Sequence, residues 1–522
     1  MVYFGPSRGC ETCKKRRKKC DETRPSCLRC INTHRVCRGY EAHANGNLIF
    51  RQHESLQSPS PVSPGIGSGH SPQPPTPFKS LARKCSLPAR TPVPGTDILP
   101  IDFGPKEVPP ELMEECALRA FFYDYCIVPI NPTLSRGFLG GLEPLVRRVG
   151  MHSQVARACQ AVGYASHGIK LSRPFLSRKG EEAYHVLLRA LAGAIRDPKA
   201  VDRRQTAVMA ILLGLYEMII ARDADRGNHD AHAGGLAAVL GIDNDPLSLL
   251  ETVCSGQTLL PNLLHGQGMF STICSYGRGK DLDSLLLRLR PIYHASQSLL
   301  SNSSSFSNPE ELHLLLGEAE CLNTDLAEWQ EAQTIKFKPT TIGTIKADPI
   351  SSRFDPGVGY WPGRVDVYFD FYFATIWNIS RTARCFLLDL IIRLCDILFN
   401  TPTPRSNQDE HLQDLLSQLS DLIASIPYFL AEDVQAFLRQ TGTKAISNPG
   451  RTAGGLLLMH PLYILTELPT VLPELREYFK RCLEWIGERM GIGQASLFSK
   501  DESISKEYVT SGCVIMWAAL LV

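Results

Sequence analysis

Residues 10–37 read CETCKKRRKKCDETRPSCLRCINTHRVC, and the remainder of the chain is best understood outward from them. The six cysteines follow C-x2-C-x6-C-x6-C-x2-C-x6-C, so Cys10, Cys13 and Cys20 form one triplet and Cys27, Cys30 and Cys37 a second with the same internal offsets. Such a duplicated half-site of thiols is metal-ligand spacing. Zinc in a closed structural site takes four ligands, so six sulfurs can satisfy two ions only if two of the sulfurs bridge both metals. The internal symmetry makes the bridging pair equivalent residues of the two halves, and the first cysteine of each triplet is the assignment, Cys10 and Cys27. One zinc is then held by Cys10, Cys13, Cys20 and Cys27, the other by Cys10, Cys27, Cys30 and Cys37. A segment of about forty residues buries little apolar surface, so metal binding is expected to supply most of its folding free energy. The competing arrangements are one mononuclear zinc with two spare thiols, with or without His34 as a ligand, and a set of cysteines that bind nothing.

Charge is concentrated in the same place. Residues 1–40 hold eleven Lys or Arg against Glu11, Asp21 and Glu22, a balance of +8 within a chain whose formal net charge is +2, so everything after residue 40 sums to −6. Only the N-terminus is built to meet a polyanion. The other eleven of the 17 cysteines are scattered singly from Cys85 to Cys513, and Met1 to Gly9 has no apolar signal core, which together argue for a reducing compartment without disulfides. The longest apolar runs, Ala207 to Tyr216 and Val514 to Val522, fall short of the ~20 residues a membrane helix needs and read as core segments, so no membrane partner is expected.

At 522 residues the chain exceeds one ordinary core. Residues 41–110 carry Pro59, Pro61, Pro64, Pro72, Pro74, Pro75, Pro77, Pro88, Pro92 and Pro94 among Ser and Gly, too few apolar groups to repay the entropy of ordering. They read as a disordered Pro/Ser/Gly-rich linker, spanning roughly 45 Å as a flexible coil. From residue 111 to 522 the pattern turns helical. Glu181 to Arg196, Arg203 to Arg222, Pro309 to Gln330, Val365 to Asn400 and Leu472 to Met490 repeat apolar residues at three and four, and period-two alternation is scarce, which predicts a large all-α domain. Arg222 to Asn228, Asn302 to Asn308, Pro339 to Gly363 and Thr401 to Asn407 read as interhelical loops. The apolar run ending the chain reads as a packed terminal helix, and a chain stopping there reads as slightly truncated. Cys85 and the later cysteines read as single buried or linker thiols.

With these residues in view, Cys10 to Cys37 resembles the fungal binuclear zinc-cluster DNA-binding domain, two short helices around two zinc ions. Lys14 to Lys19, Asp21, Pro25 and Arg38-Gly39-Tyr40 agree with that family as well. The resemblance implies that Cys10 and Cys27 bridge, as the symmetry also indicates.

In each half the two cysteines three apart fit the first turn of a short helix whose far end reaches the third. The first half fills that helix with Lys14, Lys15, Arg16, Arg17, Lys18 and Lys19, whereas the second has Ile31 to Val36, so only the first suits DNA. Arg or Lys in the major groove pairs with guanine O6 and N7 for ~1–3 kcal/mol per bidentate contact, while other cations meet phosphates. The resemblance implies CGG-like half-sites in double-stranded DNA, with Arg16 and Arg17 at base-reading positions and Lys14 and Lys19 nearer the backbone. Taken alone, six consecutive cations would equally be a nuclear-import signal or a solvated face. Between Cys13 and Cys20 they read as a recognition helix. Glu41 to Gln57 shows no sustained heptad, so two states stay open, a monomer or a homodimer formed by the helical domain.

Asn47 to Arg51 and Asn228 to Gly235 (NHDAHAGG) resemble the fungal-specific transcription factor domain of one branch of the family, departing at His229, where members of that branch often carry an aromatic. That resemblance implies a helical regulatory domain and identifies no small-molecule effector. His229 and His232 stand three apart on a predicted helix, a metal-compatible spacing, yet no third ligand is near and ordinary helix polar residues are the preferred reading. The chain has no HExxH, no phosphate loop ending in Lys-Ser or Lys-Thr and no GxSxG elbow, and Gly65 to Gly69 lies in the linker, so an enzyme is not expected. The expectation is a nuclear, sequence-specific regulator of polymerase II type promoters that works through the transcription machinery. The resemblance implies an activator of a dedicated pathway such as a secondary-metabolite gene cluster. A repressor or general nutrient or stress regulator, and a zinc-dependent architectural protein without base specificity, are the alternatives.

Overall fold

A computed structural model describes residues 11–15, 20, 30, 33, 110–132, 134–196, 202–255, 268–270, 281–301, 309–346, 356–399, 406–440, 445–500 and 504–522. The chain divides into two units, residues 1–91 and 92–522. In the first, the described helix is α1 (Glu11–Lys15).

The second unit is mostly helical, and its helices begin and end where local chemistry dictates. They open with α2 (Pro110–Tyr125), α3 (Leu142–Val149), α4 (Gln154–Lys170) and α5 (Pro174–Arg196). In α6 (Arg203–Ile220), the Asp202 carboxylate accepts from Arg204 N at 3.0 Å, an N-cap that answers one orphan amide. α7 (His229–Leu240) stops at Gly241, whose φ of 75° is left-handed. α8 (Pro246–Cys254) pairs an Asp245 cap with proline at its first turn. Then come α9 (Leu282–Leu287), α10 (Leu289–Ser301) and α11 (Pro309–Ala332), followed after a hairpin by α12 (Phe371–Phe399), α13 (Ser406–Leu430), α14 (Val434–Arg439), α15 (Thr452–Thr466), α16 (Pro473–Met490), α17 (Gly493–Phe498) and α18 (Lys506–Ala519).

Around α4 lie α2, α5 and α6, and α6 in turn packs on α7, which meets α18. A second layer runs α11, α12, α13. There Asn323 meets Arg384 and Gln330 meets Ser380, while Arg384 meets Asp414 and Asn378 meets Ser425, so successive helices are antiparallel. Every residue of α15 but Ile464 is buried, as expected of a helix apolar all round, and it touches α2, α12, α13, α16 and α18. The runs read as core segments are core: residues 206–219 are buried, and Val514, Ile515, Met516 and Ala518 to Leu521 are buried too. Among the described residues no helix is long and apolar enough to cross a membrane.

One expectation is corrected. The unit is not purely α, because β1 (Thr340–Ile345) pairs antiparallel with β2 (Gly363–Val367), inside the stretch read as a loop and overlapping the start of the helix read from Val365. The β-branched Thr340, Thr341, Ile342, Thr344 and Ile345 favour an extended chain, but a bulge between Thr341 and Gly343 interrupts the alternation. Asp366, 1% exposed, tightens the pair by accepting from Thr341 Oγ1 at 2.7 Å and Arg364 Nε at 3.1 Å.

Candidate metal centre and nucleic-acid interface

Helix α1 carries Cys13, Lys14 and Lys15 on the turn that opens the first triplet. Cys13 and Cys30, the second cysteines of the two triplets, are both buried, at 2% and 1% exposure. Their sulfurs lie 3.9 Å apart. That is well beyond the ~2.05 Å of a disulfide. In the expected ligand sets these two thiols serve different ions, so the approach brings the two halves side by side without making the pair ligands of one ion. Cys20 is half-buried, and the Thr33 hydroxyl donates to the Cys30 carbonyl at 3.3 Å, closing the chain just after that thiol. Two thiols from the two halves, shielded from water and held within van der Waals reach, are a donor set that suits a soft, thiolate-binding metal such as zinc. The separation speaks for a common thiolate pocket and not for which pair bridges. Cys10, Cys27 and Cys37, the other expected donors, lie outside the described residues, as do Arg16, Arg17, Lys19 and residues 41–109 of the stretch read as a linker, whose last residue, Pro110, opens α2. Lys15 is exposed.

The histidine pair in residues 228–235 stands on α7 and faces the interior: His229 is 0% and His232 5% exposed. His229 Nε2 lies 2.8 Å from the Tyr508 carbonyl, which only accepts, so that nitrogen carries the proton. His232 Nε2 lies 2.9 Å from the Tyr184 hydroxyl, and Tyr184 stacks on Tyr216 with centroids 4.5 Å apart. The rings thus serve two different partners, and among the described residues no group of three His, Cys, Asp or Glu is placed to hold a metal. Burial lowers the pKa of His229, lowers that of His232 to about 4 with help from His229, and lowers that of nearby His460 to about 3, so all three are neutral near pH 7.

Sequence reading missed a buried polar network between α11, α12 and α13. Arg384 donates from Nε to Asn323 Oδ1 at 3.0 Å and from Nη1 to Gln330 Oε1 at 2.8 Å, and pairs with Asp414. Gln330 continues to Ser380 and Gln418. The available signal was a pair of arginines, Arg381 and Arg384, inside the apolar run of α12.

A buried thiol pocket joined to a cationic run, in a chain whose bulk is a helical unit, defines a zinc-cluster DNA-binding regulator. The family "Fungal Zn(2)-Cys(6) binuclear cluster domain" matches residues 8–45. The chain is similar to transcription factor dbaG of Emericella nidulans, 48% identical over 426 residues, which is 81% of this chain and 100% of that protein. It is also similar to the transcriptional regulatory protein moc3 of Schizosaccharomyces pombe, 42% identical over 72 residues, 14% of this chain and 13% of that protein. An uncharacterized transcriptional regulatory protein of the same yeast is 59% identical over 32 residues, 6% of each chain. No solved structure matches. The chain belongs to the fungal zinc-cluster transcription factors: it is a DNA-binding transcription regulator and not an enzyme, and its cluster domain binds two zinc ions.

Proposed function

We propose that the protein is a nuclear, sequence-specific activator of a dedicated pathway, with a secondary-metabolite gene cluster as the target class that the family resemblance implies. Its three parts are residues 1–40 as a two-helix zinc cluster, 41–110 as the linker and 111–522 as the regulatory region. Cys10, Cys13, Cys20, Cys27, Cys30 and Cys37 hold the two zincs, with Cys10 and Cys27 bridging; when bound, the metals tie the two halves together and stabilise the fold of the cluster. Arg16 and Arg17 read guanine edges in CGG-like half-sites of double-stranded DNA, and Lys14 and Lys19 meet phosphates. The protein reaches the transcription machinery through the regulatory region, as a monomer or a homodimer.

One observation carries this reading: six consecutive cations stand between Cys13 and Cys20 in the one strongly basic segment of the chain. Selection of binding sites from random duplexes tests it. The protein is expected to enrich a CGG-containing motif, and the Arg16→Ala/Arg17→Ala variant is expected to lose that preference while still binding two zincs. About five phosphate contacts would give log K against log salt a slope of roughly −4 to −5. Enrichment unchanged in the double variant removes the base-reading assignment, and a slope near zero removes the DNA interface.

A further inference from the structure

Helix α11 carries Glu310, Glu311, Glu318, Glu320, Asp325, Glu328 and Glu331 and not one Lys or Arg. Five of these carboxylates, those of Glu310, Glu311, Glu318, Glu328 and Glu331, are exposed. Glu311, Glu318 and Glu328, seven and ten residues apart, share one face of the helix, and in its midst stands Leu314, 65% exposed while Leu312, Leu315 and Leu316 are buried. Beside that leucine, α10 and α11 leave a groove of about 460 Å³, with Pro291, Ile292 and Leu314 as its apolar wall, Gly317 giving width and Glu318 on the rim. The one guanidinium lining it, Arg288, is spent on Asp325, with the Cys321 thiol 3.6 Å away. Among the described residues the groove is therefore apolar along one wall, with His313 also in its lining and Glu318 as the carboxylate at its rim, and it opens beside the acidic face of α11.

We infer that this groove docks an amphipathic helix of another protein, one that sets a large apolar side chain beside Leu314 and a row of lysines or arginines against the α11 carboxylates. A groove in the ~300–1,000 Å³ range takes such an anchor, and helix-in-groove recognition reads apolar residues at three- and four-residue spacing. The acidic face of α11 selects the sign of the partner and steers its approach. The groove is built from residues of the second unit alone, so the inference stands whether or not the base-contact assignment does.

The test uses the full zinc-loaded chain and a fluorescein-labelled synthetic helix of about twenty residues, leucine at three- and four-residue intervals and lysine elsewhere, read by fluorescence anisotropy. A helix with glutamate in place of lysine is the control. Binding of the lysine helix alone, weakening as salt rises, is expected. Glu311→Lys/Glu318→Lys/Glu328→Lys should weaken it at least about tenfold, and Leu314→Ala several-fold at high salt, where apolar contact dominates. All four positions are exposed, and an unchanged far-UV melt reports an intact fold. No binding by the unsubstituted chain, equal binding of the glutamate helix, or unchanged affinity in the triple variant overturns the inference. So does a chain dimer in light scattering that Leu314→Ala dissociates, because a second copy is then the occupant.

Discussion

At the residue scale, the buried histidines tie stability to pH. His232 ionises near 6.5 when unfolded but only at about 4 in the fold, because burial and His229 oppose its charge. A lowered folded pKa means that the unfolded chain binds the extra proton first. The stabilisation is full above the unfolded value and is lost as pH falls from 6.5 towards about 4, a span worth about 3 kcal/mol at most. His460 acts in the same direction and over a window that reaches about 3. Urea unfolding followed by far-UV circular dichroism is therefore expected to show a loss of roughly 1 kcal/mol for each of these residues between pH 6.5 and 5.5. A His232→Gln variant, whose side chain can still meet the Tyr184 hydroxyl, should be less pH-sensitive. Equal slopes in the two proteins would mean that His232 contributes nothing to the acid limb. Spacing displayed the two histidines in the sequence, but not their burial. The partner of His229 is Tyr508, 279 residues away, and no local pattern carries that pairing.

Elements were legible in proportion to their length and periodicity. The helices read at Glu181 to Arg196 and Pro309 to Gln330 lie inside α5 and α11, because long apolar repeats at three and four outweigh local propensity. The hairpin was not legible, since Gly343 breaks its short alternation. A Cβ on that glycine would lie 2.7 Å from Leu438 Cδ1, a side-chain end that can shift aside. Gly454, in a helix, is held more strictly. In α15 alanine would gain about 1 kcal/mol of helix propensity over glycine. Yet a Cβ at Gly454 would lie 2.0 Å from the Phe429 carbonyl oxygen, a backbone atom that cannot rotate aside. Overpacking costs typically ~1–3 kcal/mol and more where backbone must move, so the steric cost wins. Gly454→Ala should lower the midpoint of helical unfolding in urea. Gly234, whose Cβ would meet nothing within 4 Å, gives the contrast, because Gly234→Ala in α7 should hold or raise that midpoint. A Gly454→Ala variant as stable as the parent would mean that α13 and α15 part easily at this contact.

At the scale of the molecule, the two units rest on different sources of stability. The helical unit holds an extensive apolar core built from α2 to α18. In the cluster unit the buried positions among the described residues are Cys13 and Cys30, so thiolate–metal bonds take the place of a core. This difference explains why the cluster was the most readable part of the sequence: its stability follows from donor type and spacing, both explicit in the chain, whereas the helical core depends on contacts between distant segments. Removal of metal should therefore separate the units functionally. A strong zinc chelator is expected to release two zincs per chain and abolish DNA binding, while the far-UV helix signal and its urea midpoint change little. Readdition of zinc should restore binding. At pH 5.5 release should need less chelator, because thiolates must be deprotonated to hold zinc and protons compete for them. Collapse of the main helical transition on chelation would contradict this division, for it would mean that the metals also support the fold of residues 111–522.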